Sequence, residues 1–212
     1  YQDEVITDSD IILSAYEKWG EECPEKLLGD FAFAIWDKKR NLLFCVRDHF
    51  GIKPFYYYAS EKFFAFATEI KALFCLPEIE RVLNEEMVAN YLVGNFEDKS
   101  ITFYQNIFRL PPAHSLKIAN RKVTKHNYFQ LDQNRELRLS SNEEYAEGLK
   151  EIFTEAVRCR MRSNQPIGSM LSGGLDSSSI ACVARNLLQS ENEKDLPTFS
   201  VVYDRIIECD ER

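Results

Sequence analysis

Hydrophobic positions follow two regimes along the chain: period-two runs before residue 131, and helical stripes around a short apolar run after residue 141. Asp8 or Ser9 is placed to cap a first helix with an apolar stripe of Ile11, Ile12, Ala15, Tyr16 and Trp19, stopped by Gly20. A short helical turn is expected over residues 24–28. Runs 31–36 and 42–46 read as strands, and the polar stretch Asp37-Lys38-Lys39-Arg40-Asn41 between them suits a hairpin. Runs 55–59 and 63–67 repeat that pattern around Ser60-Glu61-Lys62. Helices are expected over 69–74 and 85–93, the second capped by Asn84 and ended by Gly94. A third hairpin, 115–119 with 122–129, follows the stiff Pro111-Pro112 corner.

Residues 131–140 are polar and without periodicity, so they are the best linker candidate. Ser141 and Glu144 then form a capping box that opens a long helix, with Leu149, Ile152, Phe153, Ala156 and Val157 on one side. Pro166 closes it. Residues 167–171 read as a short buried strand, 179–188 as a helix, 189–195 as a polar loop and 198–203 as another strand. That order is β-α-β, the start of a parallel sheet. The fold class expected is α/β with an α+β first part. It divides into a domain over 1–130, a linker over 131–140 and a second domain over 141–212. No internal repeat or low-complexity tract is present.

Composition narrows the function classes. At 45% hydrophobic and 28% charged residues, the chain is ordinary for a globular protein. A net charge of −8 argues against a broad nucleic-acid surface, so no nucleic-acid partner is expected. No apolar run approaches a membrane span and no signal-peptide pattern opens the sequence, which implies no membrane partner. The six cysteines have no C-x-x-C spacing and sit mostly in apolar segments, implying free thiols in a reducing cytoplasm. The three histidines, His49, His114 and His126, show no metal spacing and read as structural or surface residues. A start at Tyr1 inside a polar stretch, and an end straight after a strand, suggest part of a longer protein.

The most informative segment is Ser172-Gly173-Gly174-Leu175-Asp176-Ser177-Ser178, between the short strand and a helix. Two glycines let backbone N–H groups converge, the helix N-terminus adds its positive dipole end, and three hydroxyls supply further donors. Asp176 would repel phosphate directly, so its role would be to hold a hard cation that bridges phosphates. A strand-to-helix turn with a Ser cap would explain one or two of these residues by geometry alone. It gives no reason for a carboxylate among hydroxyls. Without a lysine at Walker A spacing, the segment is not that loop. It resembles the S-G-G-x-D-S signature of the N-type ATP pyrophosphatases, which cleave ATP between its α- and β-phosphates.

Three upstream blocks specify the relative. They run over 29–37 (Gly29-Asp30-Phe31-Ala32-Phe33-Ala34-Ile35-Trp36-Asp37), over 47–57 from Arg47-Asp48-His49-Phe50-Gly51 to Tyr57, and over 66–73 from Phe66 to Leu73. In that order they resemble the class II glutamine amidotransferase domain of glutamine-hydrolysing asparagine synthetases. The resemblance continues through Leu110-Pro111-Pro112 and Tyr128-Phe129 into the phosphate loop. It implies the C-terminal part of an N-terminal-nucleophile (Ntn) hydrolase αββα sandwich, followed by the start of a parallel-sheet ATP-pyrophosphatase domain. Most residues in these blocks read as structure rather than chemistry: Phe31, Phe33, Ile35 and Trp36 as sheet core, Gly51 and Pro54 as turn formers, Arg47 and Asp48 as an ion pair.

The resemblance also implies a site. Thr7-Asp8-Ser9-Asp10 matches the segment whose Asp pairs with the α-amino group of glutamine, here Asp8, although a plain helix cap would also explain that residue. Leu171 and Val201 match positions that line the adenine nucleotide. Ser172, Gly173, Gly174, Asp176, Ser177 and Ser178 match the pyrophosphate loop, with Asp176 toward the metal. The implied cofactors are ATP and Mg²⁺; the small-molecule partners are glutamine, ATP and an aspartate-type carboxylate, and a homodimer of the full-length protein is one option. The family's N-terminal cysteine nucleophile has no counterpart in this sequence, so this stretch is expected to be inactive alone and to leave a sheet edge uncovered. Alternatives are a lactam- or isopeptide-forming cyclase of the same family, an RNA sulfurtransferase with the same loop, and a nucleotide-binding module without catalysis.

Overall fold

A computed structural model of the chain describes residues 6–163, 165–190 and 195–202 and divides into two units, Tyr1–Gln133 and Asn134–Arg212. In the first, α1 (Asp8–Trp19) is capped by neither Asp8 nor Ser9. Thr7 Oγ1 accepts from the Asp10 N–H at 3.3 Å, and Asp10 Oδ2 accepts from the Thr7 N–H at 2.9 Å. A residue one step further from the helix has both the extended backbone and the three-residue spacing that a capping box needs. Gly20, at φ +59, ends the helix, and a 3₁₀ segment over Gly20–Lys26 follows, starting earlier than the turn expected at 24–28.

The strands come as hairpins: β1 (Ala32–Asp37) with β2 (Leu42–Arg47), β3 (Tyr56–Ala59) with β4 (Phe64–Ala67). After α2 (Ile70–Leu73) and α3 (Glu85–Leu92) comes β5 (Ile107–Arg109), a three-residue strand too short to register in the sequence pattern. Then β6 (His114–Ala119) pairs with β7 (Lys122–Asn127). One antiparallel sheet runs β1-β2-β6-β7 and the other β4-β3-β5. Alternation along each strand sorts its side chains between two faces. Cys45 and Leu116 meet Phe55, Tyr57 and Leu110 between the sheets. Phe44 and Val46 face the other way, onto Ala15, Cys23 and Tyr128 beneath α1. On the far side of the second sheet, Ile107 packs with Leu73 and Ile79. The layers therefore run helix, sheet, sheet, helical segment.

Trp36 departs from the expected core. It lies near the end of β1 and stays 58% exposed, while its neighbour Ile35 is buried. No salt bridge joins Arg47 to Asp48. Both instead pin the loop that follows: Arg47 donates to the carbonyls of Lys53, Leu110 and Gly51 at 2.7, 2.7 and 2.5 Å. Asp48 accepts from the N–H groups of Phe50, Ile52 and Lys53 at 3.1, 2.9 and 2.9 Å. Buried charges are tolerated because each is saturated with backbone dipoles. Gly51 sits inside this knot at φ +67, where a Cβ would lie 2.9 Å from Pro112 Cγ and 3.0 Å from Arg47 Cζ. Gly51→Ala should therefore lower stability by about 2–4 kcal/mol, combining left-handed strain with overpacking. A denaturant midpoint equal to wild type would refute this.

His49 is half-buried, with Phe129, Tyr128 and Phe31 at ring-centroid distances of 4.9, 5.2 and 6.1 Å. Burial among these rings lowers its pKa from the ordinary 6.5, against the pull of nearby Asp48. The folded state thus favours the neutral ring. Its contribution to stability is complete above pH 6.5 and is lost as pH falls below that toward the depressed folded value. Stability measured across pH 5–7 should fall less steeply on the acid side in His49→Phe than in wild type, and identical slopes would count against it. Cys23 and Cys45 are buried free thiols pushed up to about 11 and about 12 by desolvation. Cys75, Cys159 and Cys182 are free and exposed, and Cys209 lies outside the described residues.

In the second unit, α4 (Asn142–Arg160) is capped by Ser141, whose hydroxyl accepts from the Glu144 N–H at 3.3 Å. The return bond goes elsewhere: Glu144 Oε2 accepts from the Ser140 N–H at 2.8 Å, not from Ser141. Of the stripe expected to be apolar, Val157 is buried, whereas Leu149 and Ile152 are 68% and 71% exposed. β8 (Ser169–Met170), α5 (Leu175–Ser190) and β9 (Thr198–Phe199) form a β-α-β unit with the two strands parallel. Both strands are shorter than expected, and β8 is not buried: Met170 is 66% exposed, because among the described residues β8 pairs only with β9. Tyr203, expected to end the last strand, lies outside the described residues. Gly168 permits the pairing, since a Cβ there would stand 2.8 Å from the Phe199 ring.

Candidate phosphate and amino-acid sites

Leu171 leaves β8 with its N–H bonded to the Phe199 carbonyl at 2.8 Å, and the next residues turn into α5. Gly173 makes that turn at φ +90, a conformation open to glycine. α5 begins at Leu175, earlier than the helix expected at residue 179, so Asp176, Ser177 and Ser178 all lie in its first turn. The Ser178 N–H donates to the Gly174 carbonyl at 3.1 Å, closing the first helical ring. The N–H groups of Leu175, Asp176 and Ser177 precede it and have no intrahelical acceptor.

The hydroxyls are already organised. Ser177 Oγ accepts from the Ser172 N–H at 3.2 Å, lies 3.0 Å from Ser172 Oγ and donates to the Gly174 carbonyl at 3.2 Å. The Ser172 N–H and hydroxyl thus both meet Ser177 Oγ, which ties the start of the turn to the first turn of α5. Asp176 is exposed and makes no hydrogen bond or ion pair among the described residues. No group of three or more His, Cys, Asp or Glu side chains gathers among those residues to hold a metal. A single exposed carboxylate is compatible with a hard cation such as Mg²⁺, which keeps most of its ligands as water and phosphate oxygens. Val201, 63% exposed, follows β9 just past Ser200, whose hydroxyl donates to the Leu171 carbonyl at 2.5 Å. Leu171, Ser172, Gly173, Gly174, Asp176, Ser177, Ser178 and Val201 are thereby gathered at one end of the two-stranded sheet. Ser200 was not legible as part of this group, because its link to Leu171 spans 29 positions.

Asp8 lies in the first unit, as the opening residue of α1. With the cap supplied by Thr7 and Asp10, its exposed carboxylate has no hydrogen-bond or ion-pair partner among the described residues. A groove of about 500 Å³ alongside α1 is lined by Ile6, Asp10, Ile11, Ser14, Lys18 and Trp19 among others, and Asp8 is not part of its wall. The helix dipole favours a carboxylate at this position and leaves it available to an ammonium group.

Residues 3–129 match the family model described as a glutamine amidotransferase domain, and residues 148–212 the one described as asparagine synthase. Asparagine synthetase [glutamine-hydrolyzing] 3 of Bacillus subtilis is 33% identical over 96% of this chain and 33% of its own length. Putative asparagine synthetase [glutamine-hydrolyzing] 2 of Methanocaldococcus jannaschii is 35% identical over 95% of this chain and 39% of its own. An amidase of Gibberella zeae is 32% identical over 86% of the chain and 27% of its own length. The chain spans about a third of the length of these relatives.

Proposed function

Because the chain belongs to the glutamine amidotransferase family and continues into an asparagine synthase domain, we propose that it serves glutamine-dependent, ATP-driven amide synthesis, with an aspartate-type carboxylate as acceptor. The observation that carries this is the Ser172–Ser178 turn between β8 and α5, where Gly173 is at φ +90, Ser172 is tied to Ser177, and Asp176, Ser177 and Ser178 lie in the first turn of the helix. The helix–sheet–sheet–helix layering of the first unit supports an Ntn-hydrolase sandwich for the glutaminase half.

In the proposed reaction the Ser172 N–H and hydroxyl, with the Ser177 and Ser178 hydroxyls, take the β- and γ-phosphates of ATP. The N–H groups opening α5 face the same oxygens. Leu171 and Val201 flank the adenine. The substrate carboxylate attacks the α-phosphorus and pyrophosphate leaves; its growing charge falls on dipoles that need no reorganisation. Mg²⁺, when bound, neutralises the phosphate oxygens, and Asp176 is the residue that would hold it. Ammonia from glutamine, whose α-amino group Asp8 orients, then displaces AMP from the acyl-adenylate. No described helix is long and apolar enough to cross a membrane. The proposed setting is the cytoplasm, where ATP and glutamine are plentiful.

The deciding experiment incubates the full-length protein with ATP, Mg²⁺, glutamine and aspartate and follows AMP, pyrophosphate, glutamate and asparagine. Stoichiometric formation of all four supports the proposal. AMP formed without glutamine consumption, with an internal amine acylated, would assign the protein to lactam or isopeptide closure instead. No AMP with any carboxylate would overturn both.

A further inference from the structure

The peptide unit between Leu171 and Ser172 is held from both ends. Its carbonyl accepts from Ser200 Oγ at 2.5 Å, and its N–H donates to Ser177 Oγ at 3.2 Å. The parallel ladder stops just before it: the Ser169 N–H reaches the Pro197 carbonyl at 2.9 Å and the Leu171 N–H the Phe199 carbonyl at 2.8 Å. Beyond that point a side chain takes over from the backbone. A planar trans peptide carries its C=O and N–H on opposite sides, so the partner of one end sets the direction of the other. Turned over, this unit would aim the Leu171 carbonyl oxygen into the cradle, where it would repel an anion, and would withdraw the Ser172 N–H.

We propose that Ser200, outside the glycine–serine signature, is a positioning residue of the nucleotide site: it fixes the Leu171–Ser172 peptide so that the Ser172 N–H faces the phosphates. The role rests on the nucleotide-binding function proposed above. It acts through Leu171 and Ser172 and requires no contact between Ser200 and ligand. The hydroxyl is the working group, so threonine should replace serine and alanine should not.

Ser200→Ala and Ser200→Thr in the full-length protein separate this role from general stability. In the ligand-free state, deuterium exchange in the peptide spanning 169–174 should run roughly fivefold faster in Ser200→Ala, as loss of one ordinary hydrogen bond implies, and match wild type in Ser200→Thr. By calorimetric titration, a non-hydrolysable ATP analogue should bind Ser200→Ala roughly fivefold more weakly, whereas adenosine, which lacks phosphates, should bind both variants like wild type. Unchanged exchange in Ser200→Ala, or an equal loss of adenosine and nucleotide affinity, would overturn the role while leaving the nucleotide site standing. Wild-type protein that binds no ATP analogue would remove the nucleotide site, and the role of Ser200 with it.

Discussion

Asp176→Ala in the full-length protein should abolish AMP formation from either nitrogen source, glutamine or added ammonia, and should leave basal glutaminase activity in place. Asp176 is the one carboxylate in the Ser172–Ser178 turn, it is exposed, and no described side chain engages it. A carboxylate so placed has no structural work beyond a favourable position at a helix N-terminus, worth about 0.3–1 kcal/mol. The fold should therefore survive its loss. The reaction should not, since anchoring a cation beside a departing pyrophosphate supplies several kcal/mol, and a drop on the order of a thousandfold or more is expected. AMP quantified by chromatography, beside glutamate release from glutamine alone, reads both halves in one sample. Wild-type AMP and amide formation with ammonia in Asp176→Ala would show that the turn does not anchor the metal-bound pyrophosphate.

Asp8→Ala should give the opposite pattern. Glutamine-dependent synthesis falls because the α-ammonium of glutamine loses its counter-charge, and synthesis from added ammonia continues. A charge-assisted hydrogen bond contributes about 1.5–3 kcal/mol, so the KM for glutamine should rise roughly ten- to a hundredfold. α1 itself should hold, because its cap is the Thr7–Asp10 pair and not Asp8. Circular dichroism and the thermal midpoint of Asp8→Ala should stay close to wild type. An unchanged KM for glutamine would remove Asp8 from the site. Measured together, the two variants guard against misfolding, which would depress both activities at once.

Much of the local architecture is legible in the sequence. The three hairpins, the Asn84 and Ser141 caps and the stop at Gly94 come from alternation, capping chemistry and glycine placement, all signals carried by neighbouring residues. The family resemblance read from blocks 29–37, 47–57 and 66–73 is borne out by the two family matches. The structure departs from the pattern where burial depends on distant contacts. Trp36 reads as core because its strand is apolar, yet its side chain stays exposed beside the buried Ile35. Residues 167–171 read as buried for the same reason, yet Met170 is largely exposed. Arg47 and Asp48 read as an ion pair because opposite charges stand side by side. Arg47 is the last residue of β2 and Asp48 begins the loop, and each takes backbone partners instead.

Sequence by itself determined which segments become helices and hairpins, where the glycine–serine turn falls, and to which family the chain belongs. Those properties depend on spacings of two to four residues and on short ordered motifs, so they survive without knowledge of distant contacts. Tertiary structure alone decided the rest: that the Arg47 guanidinium reaches the Leu110 carbonyl across 63 positions, that β5 joins β3 in the second sheet, and that Ser200 braces the Leu171–Ser172 peptide. Each of these needs two remote stretches of chain brought within about 3 Å, the reach of a hydrogen bond. Packing of the layers, not the local pattern, sets which stretches meet.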